Sequence, residues 1–392
     1  MMKFKEDGIG VSDLLKLIPD DLLLDLAAET KVDYQVKKLY GRNVFNLLLY
    51  GLISGERVGL RSLEDFYNSK KFKVLFKLPG TKSVKYNSLS ARLATMNVCF
   101  FEMAFQEIYE QCSLLYDGST LSTQYKITRV DSTMVCETAA KLEQGIHVGQ
   151  KKDGKKQVKY TIGLTDMFPS SVEAFTEQTC INENLTIPKV ILKALDKSKD
   201  NVFVFDRGVF SREAFCELDK NDCSFVTRLH VNARHVVLSD VDTPPGLVVG
   251  NLTVLKDQRV NLYCSGYKVV EQPFRLVQAR SIQGKEYWFL TNRFDLPCQE
   301  IILIYKKRWD IEVFFRFIKQ ELNFSHLISV NENGIKILLY MTLILAMLIL
   351  IYKKINEFGY KTAKRRFAME LGDIIDDILI VYCGGDPNTP FW

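Results

Sequence analysis

The sequence predicts a mixed α/β core that carries an all-β insertion and is flanked by helical regions at both ends. Apolar residues recur at helical spacing through roughly the first 115 residues. From Tyr125 the texture changes to short runs rich in β-branched residues, and the last sixty or so residues return to helical periodicity. The resulting boundaries are a helical region over 1–118, the first part of the core over 119–230 and the β-strand insertion over 231–296. The second part of the core follows over 297–330, and a helical C-terminal region over 331–392. A chain of 392 residues has room for two or three domains and a sizeable core.

In the N-terminal region, SDLLKLIPDDLLLDLAAE and NVFNLLLYGLI have helical spacing, with a Ser start and a Pro break. LRSLEDFYNS and NSLSARLATMN are short amphipathic segments separated by a basic linker ending in Gly80. They fit a helix-turn-helix whose Asn87–Met96 helix presents Ser88, Ser90 and Arg92, although any small helical bundle has this pattern. Between Lys31 and Arg92 there are 13 Lys/Arg against 4 Asp/Glu, an excess that suits a polyanion and equally a solvated surface. The whole chain carries only +5, so the signal lies in the distribution.

In the core, YKITRVDSTMV, KYTIGLTDM and SSVEAFTEQ read as strands and the stretch from Pro188 to Lys199 as a helix. NVFVFDRG then reads as a strand, SREAFCELDK as a helix capped by Ser211, and CSFVTRL as a strand. From Val231 to about Arg293 the pattern is β-like, with turns at TPPG, LKDQ, CSGY and QGKE. A long helix begins near Pro297. The uncharged run from Ile337 to Tyr352 is shorter than the ~20 residues of a spanning helix, so a helix buried in a large domain explains it better than a membrane span. Nine cysteines without a CxxC pair, and four histidines away from zinc-ligand spacing, indicate reduced thiols in a cytosolic protein. The N-terminal MMKFKEDGIG lacks the apolar core of a signal peptide.

Three carboxylates stand out. Asp131 lies inside the strand RVDSTMV, with no turn-forming residue beside it. Asp206 ends VFVFD, at the C-terminal end of a strand, where α/β sheets commonly place their sites. On a helical wheel at about 100° per residue, Tyr305, Arg308, Glu312, Arg316 and Lys319 form one stripe beside the apolar face of Ile304, Ile311, Phe314, Phe315, Ile318 and Leu322. A carboxylate flanked by basic residues on one seam suits metal binding next to a phosphate backbone; an Arg–Glu–Lys structural network would look the same. An edge or turn role for Asp131 and a capping role for Asp206 are the corresponding plainer readings. Two aspartates and a glutamate can hold two Mg²⁺ ions, with Mn²⁺ able to substitute, for in-line phosphoryl transfer.

Tyr305, Arg308, Glu312 and Lys319 also reproduce the spacing Y-x2-R-x3-E-x6-K. With VDST at Asp131 and FDRG at Asp206 in that order, the chain resembles the DDE transposases of the insertion-sequence-four group over roughly Tyr125 to Ile351. These are bacterial cut-and-paste enzymes with a ribonuclease-H-like core, and a long β insertion before the glutamate is a trait of the group. The resemblance implies that Asp131, Asp206 and Glu312 are the metal-binding catalytic triad and that Tyr305, Arg308 and Lys319 contact phosphates. It further implies that Trp288, in EYWFLTNR, stacks on a flipped base. Arg207, Arg316 and Arg92 are further DNA-contact candidates. Lys151, Lys152, Lys155, Lys156 and Lys159 suit either flanking DNA or a solvated hairpin tip.

The expected activity is DNA transposition: binding of terminal inverted repeats, metal-dependent nicking and strand transfer. It would take place on double-stranded DNA in the bacterial cytoplasm and nucleoid, away from any membrane, with a homodimer in the synaptic complex. A catalytically inert DNA-binding derivative and a metal-dependent nuclease on the same core are the alternatives.

Overall fold

The computed structural model describes residues 8–55, 57–80, 83–115, 125–137, 142, 144–149, 154–194, 200–244, 246–264 and 268–389. Lys151 and Lys152 lie outside these. In chain order the elements begin with α1 (Val11–Leu15), α2 (Asp20–Thr30), α3 (Gly41–Ser54), α4 (Leu60–Asn68), α5 (Lys70–Leu75), α6 (Tyr86–Thr95) and α7 (Cys99–Leu115). Next come β1 (Lys126–Glu137), β2 (Ile146–His147), β3 (Lys156–Thr165), β4 (Phe168–Phe175), α8 (Glu183–Leu192), β5 (Asn201–Val204), α9 (Arg212–Lys220) and β6 (Ser224–Leu229). Strands β7 (His235–Asp240), β8 (Val248–Val249), β9 (Leu252–Tyr263), β10 (Val269–Ser281) and β11 (Glu286–Thr291) follow. The chain ends in helices α10 (Cys298–Lys306), α11 (Trp309–Glu321), α12 (Glu332–Ile355) and α13 (Tyr360–Tyr382).

These elements form two compact units. One comprises Met1–Asp117, Val135–Gln157 and Arg316–Trp392; the other comprises Gly118–Met134 and Val158–Phe315.

The first unit is helical. Its central helix is α12, surrounded by α3, α6, α7 and α13. Every residue from Ile337 to Tyr352 is buried, which is why a helix can be apolar all round without lipid. It is the one helix among the described residues long and apolar enough to cross a membrane, and the unit itself covers it. The linker between α4 and α6 contains a short helix, α5, so the segment is not a simple helix-turn-helix. On α6, Leu89 and Leu93 are buried and Arg92 is half-buried. The Arg92 guanidinium donates to the carbonyls of Val32 (2.6 Å) and Leu39 (3.0 Å). These donors tie α6 to the segment that follows α2.

The second unit is built on one sheet with strands in the order β3-β1-β5-β6-β11-β10-β9-β7; β4 pairs with β3 and β8 with β9. Strands β1, β5 and β6 run parallel, and β4 is antiparallel to β3, the ribonuclease-H-like mixed core. The insertion continues this sheet, since β11 pairs antiparallel with β6 (Trp288 opposite Leu229). Alternation along β5 supplies both faces. Phe203 joins Phe205, Phe215, Phe225 and Phe274 on the side of α8 and α9, while Val202 and Val204 join Ile301, Ile304 and Tyr305 on the side of α10.

Two boundaries differ from expectation. The long helix near Pro297 is in fact two, α10 and α11, separated by a turn at Lys307–Arg308. Arg129 causes this break to be stable: its guanidinium takes the Lys307 carbonyl (3.3 Å) and the Asp310 carboxylate (3.0 Å). Helix α8 begins at Glu183, five residues before Pro188, because the Asn182 side chain caps it by accepting from the Asn184 N–H.

Candidate active site

Strands β1 and β5 are paired in parallel with Arg129 opposite Val204. Asp131 and Asp206 each lie two residues further on, so the register brings them to neighbouring strands at the same level of the sheet. Arg129 and Asp131 share one face of β1, the face of Ile127 and α10. By pinning the turn between α10 and α11, Arg129 places Arg308 and Glu312 beside Asp131.

The contacts follow from that placement. The Arg308 guanidinium reaches Asp131 (3.4 Å) with one nitrogen and Glu312 (2.5 Å) with another. Asp131 also accepts from the Ser132 N–H (2.7 Å). The Tyr305 hydroxyl donates to Asp206 (3.1 Å). Burial pushes the Asp131 carboxyl from 3.8 up to about 6. The charges of Glu183 and Asp206 add to the shift, while the Ser132 N–H and Arg308 oppose it. Burial also raises the Tyr305 phenol to about 12, so it remains a donor at neutral pH.

Next to Asp206 is a basic cavity of about 500 Å³, lined by Arg207, Phe210, Arg212, Arg228, His230 and Tyr263 among others. The Nε atoms of Arg212 and Arg228 are buried there without a hydrogen-bond partner among the described residues. The Arg228 guanidinium stacks over the rings of Tyr287 (5.0 Å) and Tyr305 (5.8 Å), which connects the cavity with the carboxylates.

The structure therefore gathers Asp131, Asp206, Tyr305, Arg308 and Glu312, with Arg207 exposed at the cavity. Further along α11, Arg316 is exposed and Lys319 half-buried, its ammonium disfavoured by that burial. Trp288 differs from expectation: it packs against the core on the α8–α9 side, edge-on to His235 at 5.4 Å, whereas Tyr305 packs on the other face. Of the lysines at the proposed hairpin tip, Lys159 is buried on β3 and donates to the Ile181 carbonyl (3.1 Å). Sequence reasoning missed Arg129, Arg228 and Glu183. A charged residue inside an apolar strand was the available signal for Arg129, and its two-residue spacing from Asp131 gave the face.

The donor chemistry fits a hard divalent cation: the acids are oxygen ligands, and the charges of Glu183 and Asp206 on half-buried Asp131 are what such an ion would relieve. Among the described residues no three His, Cys, Asp or Glu side chains converge at ligating distance, and Arg308 bridges Asp131 and Glu312.

The family model described as transposase DDE domain matches residues 117–348, more than half of the chain. The chain belongs to the transposase DDE domain family. Its matched span contains all three carboxylates of the site. It is 31% identical over 160 residues to a protein of Synechocystis named as a transposase for insertion sequence element IS4SA, covering 40% of this chain and 43% of that one. It is 27% identical over 162 residues to a protein of Sinorhizobium fredii named as a transposase, again covering 40% and 43%. A third, from Geobacillus stearothermophilus, is named for element IS5377 and is 25% identical over 209 residues, 53% and 51% of the two chains. The chain spans about half the length of the curated relatives it matches. A solved piggyBac transposase synaptic complex with hairpin DNA is similar at 10% identity and a TM-score of 0.49, over 98% of this chain and 83% of that one. That likeness is too distant to bear on the site.

Proposed function

We propose that this DDE-family chain is a DNA transposase that cleaves the ends of an insertion sequence and transfers them to target DNA. The observation that carries this reading is the Arg308 guanidinium shared by Asp131 and Glu312, with Asp206 held by Tyr305. Asp131, Asp206 and Glu312 would hold the divalent cations, two Mg²⁺ per site with Mn²⁺ as substitute. Bound there, such ions supply Lewis acidity to the attacking and departing oxygens of an in-line displacement.

The protein's own groups account for the remaining roles. Tyr305 orients Asp206 through its hydroxyl, and Arg308 releases the two acids to become a donor to the scissile phosphate. Arg207, Arg212 and Arg228 grip the neighbouring strand from the basic cavity they line. Arg316 and Lys319 extend the grip along α11. The substrates are the terminal inverted repeats and a target duplex in the bacterial nucleoid, and two copies of the chain bring the two ends together.

The test is cleavage of a duplex carrying the element's own ends in Mg²⁺. The wild type should nick at the end, and Glu312→Gln should be slower by about 10³-fold while binding the duplex normally. A Glu312→Gln protein that nicks at the wild-type rate contradicts the proposal.

A further inference from the structure

Helix α13 outruns the core that covers it. On a wheel at about 100° per residue, with Asp373 at zero, Ala363, Phe367, Leu371 and Ile375 fall in one stripe between about 80° and 200°. Ile378, Val381 and Tyr382 continue that stripe to the end of the helix. The first four are buried, whereas the last three are 40%, 60% and 73% exposed. The apolar run therefore goes on after its cover within the chain has stopped.

Between this helix end and α5 runs a groove of about 1120 Å³. Val74 and Leu78 share its apolar lining with Ile378, Val381 and Tyr382, and Lys70, Lys73 and Lys77 line it as well. Lys73 donates to the Gly80 carbonyl (2.9 Å), while Lys70 and Lys77 are exposed. Asp373 and Asp377 are exposed on α13 and edge its apolar stripe, at about 0° and 40° on the same wheel. Lys71 already pairs with Asp376 (2.6 Å), so α5 and α13 match in charge within one chain. Each copy thus carries both halves of a contact: an apolar groove with lysines along it, and an apolar helix end edged by aspartates.

We propose that the groove receives the α13 end of a second copy of this chain. Because α13 is itself one wall of the groove, a two-fold axis between the two helix ends makes both contacts at once. Ile378, Val381 and Tyr382 of the two copies bury one another, and Asp373 and Asp377 of each face Lys70 and Lys77 of the other. The pairing needs neither DNA nor metal, so it stands apart from the reaction proposed above.

The test is the mass of the full chain in solution by light scattering, without DNA and in reductant so that exposed Cys383 cannot link copies. At about 20 µM the wild type should be a dimer, as a micromolar contact requires. Val381→Glu changes a residue the fold leaves exposed, and should weaken the dimer at least about tenfold with an unchanged melting temperature. A chain with Lys70→Glu and Lys77→Glu, and another with Asp373→Lys and Asp377→Lys, should each be monomeric alone. Mixed, the two should form dimers, because only the mixed pair restores opposite charges on both sides of the axis. A monomeric wild type, which would leave the groove to some other acidic helix, overturns the pairing. So does a dimer indifferent to Val381→Glu, or a pair of charge variants that stay apart when mixed.

Discussion

Two arginines in the sheet unit each hold carboxylates, and they do so in opposite ways. Arg275 and Asp257 are paired one to one, 4% and 0% exposed, through two contacts of 2.8 and 2.7 Å. The remaining Arg275 nitrogen donates to the Phe294 and Leu296 carbonyls, and the Thr243 hydroxyl donates to Asp257. Arg308 serves two carboxylates from different elements, at 3.4 and 2.5 Å, with Asp206 and Glu183 close enough to act on Asp131. The first assembly is closed and charge-balanced, which is what a buried pair needs in order to persist. The second has more acid than base and leaves carboxylate oxygens uncommitted. The balanced pair is a structural joint, whereas the unbalanced, half-buried assembly is the one proposed to bind metal.

The largest effect that separates the two should come from Asp257→Ala. It strands the Arg275 charge in the core and should cost about 3–5 kcal/mol of stability in urea unfolding. A loss below about 1 kcal/mol would show that the pair is not the closed joint described.

Removing a charge from the other assembly should act in the opposite direction. The Asp131 carboxyl titrates at about 6 in the fold against 3.8 when unfolded, so the folded state binds the proton more tightly. Its contribution to stability is present below pH 3.8 and is lost as pH rises through 6. In chelator at pH 7 to 8, Asp131→Asn should be more stable than wild type by about 1–3 kcal/mol, with the advantage gone near pH 4. Melting curves across that range check both the sign and the window.

The smallest effect concerns Tyr305. Tyr305→Phe keeps the ring against Phe289 but removes the hydrogen bond to Asp206. Its cost should be about 1 kcal/mol, read as a nicking rate several-fold below wild type with the melting temperature nearly unchanged.

Much of the site could be read from the chain because its spacing is local. Tyr305, Arg308 and Glu312 stay on one side despite the turn at Lys307–Arg308, since a single tightened turn rotates the stripe little over seven residues. The turn itself was not legible: no Gly or Pro marks it, and the Arg129 that stabilises it lies 178 residues away from Lys307. Strand register likewise brings Asp131 and Asp206 together through pairing that no local pattern encodes. Arg92 showed the limit in the other direction. Its place on an amphipathic helix suggested DNA, but distant carbonyls of Val32 and Leu39 use its donors. Glu183 was hidden because Pro188 suggested a helix start, whereas Asn182 caps the helix a turn and a half earlier.

The central claim is that these carboxylates bind the metal directly, and Asp131→Cys tests it most directly. A thiolate is a poor ligand for Mg²⁺ and a better one for Mn²⁺. The variant should fail to nick the element's ends in Mg²⁺ and recover by at least about tenfold in Mn²⁺. Wild-type nicking in Mg²⁺, or equal failure in both metals with DNA binding intact, would contradict direct ligation by Asp131.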